Sequence, residues 1–165
     1  MVEKNLITIV CTANICRSPM AEVLMRHALQ AEEEPLKSLE VASAGVSAYS
    51  GEPASVNSVR AVKSVGLDLS HHSSQSISRS MIERSFAIFG MTQSHRMTIE
   101  MQYGEKLPNL FLLRELMPEG SSIEIPDPFG QNLSAYEACR DSMVEAVPSI
   151  LAWLRKNYPQ TIKNS

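Results

Sequence analysis

The stretch Leu6-Ile7-Thr8-Ile9-Val10-Cys11-Thr12-Ala13-Asn14-Ile15-Cys16-Arg17-Ser18-Pro19-Met20-Ala21-Glu22 decides the fold of this chain. It opens on an apolar run, Leu6 to Val10. From Met20 onward, apolar residues recur at helical spacing through Val23, Leu24, Ala28 and Leu29. The order is therefore strand, short loop, helix. Pro19 suits a first helical turn, where a missing N–H costs nothing. Within the loop, five residues separate Cys11 from Arg17, and Ser18 follows. A segment of that length can curl so that the backbone N–H groups of Thr12, Ala13, Asn14, Ile15 and Cys16 point inward, as in anion-binding nests. The N-terminal end of the helix adds positive potential at the same place. Arg17 can close the ring with a two-pronged contact to phosphate oxygens. A thiol at the floor of such a bowl is favoured as its thiolate. Beneath a bound phosphate, that thiolate is a nucleophile aimed at phosphorus.

Outward from this motif, strands alternate with helices. Leu39 to Gly45 reads as a second strand, and Val46 to Pro53 as a Ser- and Gly-rich loop. A helix is expected from about Ala54 to Val65, with Val56, Val59, Val62 and Val65 on one face and Gly66 as its cap. Leu67 to Ser78 is irregular, and a short helix follows to Arg84. Phe86 to Met91 is an unbroken apolar run, the mark of a buried parallel strand. Thr92 opens a helix to about Gln102, and Leu110 to Leu113 is a fourth strand. Glu115 to Asn132 is a long loop with three prolines. Ser134-Ala135-Tyr136-Glu137 reads as a capping box for the last helix. Pro148 is expected to bend that helix or delay its start, and the tail from Asn157 is expected to fray. The pattern implies an α/β fold: a four-stranded parallel sheet with helices on both faces, Rossmann-like, in one domain over residues 1–165. In such sheets ligands sit at the carboxyl ends of strands, where Cys11 falls.

The 165 residues can bury a sizeable core. A net charge of -3 with no basic run speaks against nucleic-acid binding. No apolar stretch is long enough to span a membrane, and the N-terminal residues lack a signal-peptide layout. Two of the three cysteines lie in the loop, so a disulfide scaffold is not expected, and a cytoplasmic location is. The four histidines lack ligand spacing with the cysteines, so neither a metal nor any other cofactor is expected. Cys139 and the scattered methionines read as core. Nothing fixes the oligomeric state.

Expelling an alkoxide or phenoxide from phosphorus requires an acid facing the loop. Asp127, in Ile125-Pro126-Asp127-Pro128-Phe129-Gly130, follows the fourth strand and so can reach the same end of the sheet. Its flanking prolines stiffen it, and Phe129 offers an apolar wall for a substrate ring.

Cys-x5-Arg-Ser continuing as Pro-Met-Ala-Glu, with the Cys11/Cys16 pair and Asn14, resembles the low-molecular-weight protein tyrosine phosphatases over almost the whole chain. The resemblance implies their phosphotyrosine phosphatase I type of sheet and hydrolysis of phosphotyrosine in protein substrates. It implies Cys11 as nucleophile, Arg17 as phosphate clamp and Asp127 as general acid and base, since the family carries its acid in an Asp-Pro-aromatic motif. It also implies that Ser18 bonds the thiolate, that Ser43 and His72 brace Asn14, and that Tyr49 joins Phe129 as a wall of the cleft. His71 competes with His72 for that place. The family usually has glycine at Ala13, which strains the ring only if that position has a positive φ. Cys16 is near enough to trap an oxidised Cys11 as a disulfide. The alternative within the family is an arginine phosphatase: Ile15 favours tyrosine, whereas Asp-Pro-Phe-Gly is similar to the arginine branch. A thioredoxin-linked arsenate reductase would need two further cysteines mid-chain, and none lies between Cys16 and Cys139. A binding module without turnover would not need Cys11, Arg17 and Asp127 together.

Overall fold

The computed structural model describes residues 2–159. The strands are β1 (Leu6–Cys11), β2 (Glu40–Gly45), β3 (Ser85–Gly90) and β4 (Leu110–Leu112), in the order β2-β1-β3-β4 with every pair parallel. The helices are α1 (Arg17–Gln30), α2 (Val56–Lys63), α3 (Arg79–Arg84), α4 (Gln93–Tyr103) and α5 (Leu133–Asn157). No helix among the described residues is long and apolar enough to cross a membrane.

The alternation of side chains along β1 sorts the core. Ile7, Ile9 and Cys11 point to the face covered by α1, α2 and α5, and join Phe89, Met20 and Met143 there. Leu6 and Val10 point to the other face and pack with Ile82, Ile88 and Ile99. β1 is buried on both sides, which is why its sequence is an apolar run rather than an alternation. Its one polar side chain, Thr8, is bonded to Ser85 Oγ at 2.7 Å.

Several expectations need correction. The stripe that α2 buries is Ser58, Ala61 and Val62, while Val56 and Val65 are exposed. Ser58 is turned inward because its hydroxyl donates to the Cys16 carbonyl at 3.0 Å, and that bond sets the helix's rotation. The last helix begins at Leu133, and its N-cap is Asn132, whose side chain accepts from Ala135 N at 3.2 Å. Ser134 therefore lies inside the helix and caps nothing. Pro148 neither stops α5 nor delays its start. The carbonyl it leaves unpaired belongs to Val144, which is exposed, so water can serve it. Asn157 is still helical, and Tyr158 packs edge-on against Phe86 at 5.0 Å; from residue 160 the expected frayed tail lies outside the described residues. Met97 and Met101 are exposed on α4 rather than buried.

Candidate active site

β1 ends at Cys11, and the chain turns through Thr12–Cys16 into α1. Asn14 takes the left-handed conformation, φ 58°, and is the one non-glycine residue described that does so. Asparagine tolerates this better than other side chains. Ala13 is thus outside that region and carries no strain from lacking glycine.

Asn14 is fully buried, and its amide pins the loop. Nδ2 donates to Ser18 Oγ at 2.8 Å and to Ser43 Oγ at 2.9 Å, while Oδ1 accepts from Gln75 N at 3.0 Å. The Asn14 carbonyl accepts from His72 Nε2 at 2.7 Å. His71 points to solvent instead, 3.8 Å from Asp68. Ser18 Oγ accepts from Asn14 and lies 3.0 Å from Cys11 Sγ and 3.5 Å from the Ala44 carbonyl, so its proton can go to the sulfur, the nearer of the two. Behind the loop, Ser55 N donates to the Ile15 carbonyl at 2.8 Å. On its other flank, Val46 N and Ser47 N donate to the carbonyls of Cys11 and Thr12. Gly45 makes that approach possible, since a Cβ there would lie 2.5 Å from the Thr12 oxygen.

Arg17 is buried; its Nη1 donates to the Ile125 carbonyl at 2.9 Å, and its Nη2 lies 3.7 Å from Asp127 Oδ2. Its Nε is also buried and has no hydrogen-bond partner among the described residues. A buried guanidinium donor is costly to leave unpaired, so the residues fit an oxyanion here. Asp127 is half exposed, with Oδ1 accepting from Phe129 N at 3.0 Å. One cleft holds Cys11 and Arg17 at its floor, with Ile15, Tyr49, Asp127 and Phe129 on its walls. Tyr49 and Phe129 are largely exposed.

Cys16 is buried at the back, its sulfur 3.5 Å from Tyr136 Oη. Burial pushes the Cys16 thiol up and the Tyr136 phenol up to about 12. All three cysteines are free.

Among the neighbours of the loop that escape a linear reading of the sequence are Glu52 on the cleft rim, Tyr136 behind Cys16, and His95. His95 is buried, with Nε2 3.0 Å from Thr12 Oγ1. Its one local signal is its place at the third position of α4, after Thr92 at the N-cap, where a side chain can reach back to the cap's N–H.

The model of the family "Low molecular weight phosphotyrosine protein phosphatase" matches residues 6–160. A protein-arginine-phosphatase of Geobacillus stearothermophilus is 36% identical over 83% of this chain and 87% of its own. A probable low molecular weight protein-tyrosine-phosphatase, EpsP, of Ralstonia nicotianae is 32% identical over 90% of this chain and 92% of its own. The crystal structure of a low molecular weight protein tyrosine phosphatase from T. tengcongensis superposes with a TM-score of 0.81 at 30% identity, covering 90% of this chain and 99% of that one. With a strand-end cysteine ring, a four-stranded parallel sheet and a family match over nearly its full length, this chain belongs to the low molecular weight phosphotyrosine protein phosphatases.

Proposed function

We propose that the chain is a protein-tyrosine-phosphatase working through a cysteinyl-phosphate. Cys11 Sγ attacks phosphorus, and the bond to the tyrosine oxygen breaks as Asp127 gives that oxygen its proton. Asp127, now a carboxylate, takes a proton from water, whose oxygen attacks phosphorus and returns Cys11 as thiolate. Arg17 and the loop N–H groups of Thr12 to Cys16 hold the equatorial oxygens through both steps. Ser18 steadies the thiolate, while Ser43 and His72 hold Asn14. No cofactor enters these steps. The observation that carries the reading is the convergence, in one cleft, of Cys11, Asp127 and a buried Arg17 whose Nε has no hydrogen-bond partner among the described residues.

The substrate is a phosphorylated protein, met by one catalytic domain in the cytoplasm, where its thiols stay reduced. Ile15, Tyr49 and Phe129 give the cleft apolar walls that suit an aryl ring. Cys16, set behind the ring, is the partner for Cys11 on oxidation. A second reading, a protein-arginine phosphatase, draws on the 36% identical relative of that name and on the Glu52 carboxylate at the cleft rim, which would suit a guanidinium.

Steady-state hydrolysis of matched phosphotyrosine and phosphoarginine peptides tests both. Higher kcat/KM on phosphotyrosine, loss of turnover in Cys11→Ser and a fall of roughly 10²–10⁴-fold in kcat in Asp127→Asn are expected. Preference for phosphoarginine replaces the substrate assignment, and a fully active Cys11→Ser overturns the mechanism.

A further inference from the structure

His95 takes no part in the steps above, yet its bonding determines what the neighbouring side chain can do. Its Nδ1 faces the backbone N–H groups of Met91 and Thr92 and the Thr92 hydroxyl, each at 3.3 Å, and that hydroxyl can donate to it as the two N–H groups do. Backbone N–H groups only donate, so Nδ1 carries no proton. The neutral ring then keeps its proton on Nε2, the atom 3.0 Å from Thr12 Oγ1. Thr12 must accept that bond, and its own hydroxyl proton is left to point elsewhere. Thr12 is exposed and lines the cleft beside Cys11.

We propose that His95 is a positioning residue that fixes Thr12 as a hydrogen-bond donor into the cleft, and that the Thr12 hydroxyl donates to an oxygen of the phosphoryl group held over Cys11. The inference rests on the phosphatase reading and adds to it one side-chain donor beyond the ring of N–H groups and Arg17. The chain of donors Nε2–H to Oγ–H to phosphoryl oxygen runs in one direction, and each link polarises the next. The neutral state is consistent with the ring's surroundings: burial, and then the Arg17 charge, pull its pKa down to about 4, while Asp127 and Glu124 oppose this. A protonated ring would instead set a second donor against the two backbone N–H groups.

Glutamine mimics the ring in this role. Its amide oxygen and nitrogen are about as far apart as the two ring nitrogens, and glutamine at the third helical position also reaches back to the cap. Methionine fills the space and does neither. Three measurements test the inference. A long-range proton–nitrogen NMR spectrum of the wild-type imidazoles at neutral pH should show one buried ring with its proton on Nε2. A proton on Nδ1 overturns the proposal whatever the variants do. Inhibition by inorganic phosphate should weaken about tenfold in Thr12→Val, the worth of one hydrogen bond to a charged group, and recover in Thr12→Ser. His95→Met should lose about tenfold in kcat/KM, and His95→Gln should stay within about threefold of wild type. In a Thr12→Val background the His95→Met change should cost almost nothing further. Full additivity of the two substitutions shows that His95 supports the fold alone and sinks the inference. Wild-type protein without activity on any phosphopeptide sinks the phosphatase reading instead, while the NMR result still stands.

Discussion

The two loops that meet over Cys11 are built differently. The Thr12–Cys16 loop is tied from β2, the segment before α3, the N-terminal end of α2 and the N-terminal end of α4, and its central residue, Asn14, is fully buried. The loop carrying Asp127 is buried only at Ile125, held by Met91 O and by Arg17, and at Pro128. Between them the Asp127 side chain is half exposed and bonds only within its own turn and, at 3.7 Å, near Arg17. The contrast follows from the chemistry proposed for each. Stabilising charge on a phosphoryl group demands donors fixed in advance, whereas handing over a proton demands reach and access to solvent.

The contrast can be broken or sharpened by substitution. Asp127→Asn should cost roughly 10²–10⁴ in kcat, or about 3–5 kcal/mol in the barrier, and leave the melting temperature within about 1 °C of wild type. If it also unfolds the protein, the two loops are not as different as their bonding implies. Asn14→Ala should do the reverse. It removes three buried hydrogen bonds and the residue best suited to φ 58°, so denaturant titration should show a loss of about 3 kcal/mol, with kcat falling alongside.

A pH titration of stability addresses the brace from α4. The His95 pKa is about 4 in the folded protein against the ordinary 6.5 when unfolded. Between those values the unfolded chain binds the extra proton, so stability is unaffected above 6.5 and falls as pH drops toward 4. The loss at the acid end should reach roughly 3 kcal/mol, and His95→Gln should remove that component. Ala13→Gly is the smallest change. Since Ala13 does not need a positive φ, glycine should destabilise by about 0.5–1 kcal/mol through the unfolded state; a stabilised variant would mean that the ring is strained after all.

How much of this was legible from the sequence depended on distance along the chain. Cys11, Arg17 and Ser18 are near neighbours, and Ile125–Gly130 announces itself by its prolines, so the floor of the cleft and the residue facing it could be read directly. The strands were equally plain, because burial on both faces leaves unbroken apolar runs such as Phe86 to Met91. The misreadings share another cause. Ser58 is buried for a hydrogen bond rather than for its hydrophobicity, so a stripe of valines misplaced the α2 face. Asn132, not Ser134, holds the cap of α5. His95 meets Thr12 across 83 residues, and no spacing rule spans that gap.

That gap bears on how the chain comes to work at all. The loop is contiguous, but its ties reach 29, 58, 61 and 83 residues along the chain, to Ser43, His72, Gln75 and His95. Contacts of such sequence separation form late, after the entropy of closing long loops has been met. The ring around Cys11 is therefore complete only when β2, the segment around His72 and α4 are all docked. Turnover then reports completed folding: a chain caught with α4 or the segment around His72 undocked keeps Cys11 and Arg17 side by side in sequence and lacks the shape that makes them a pair.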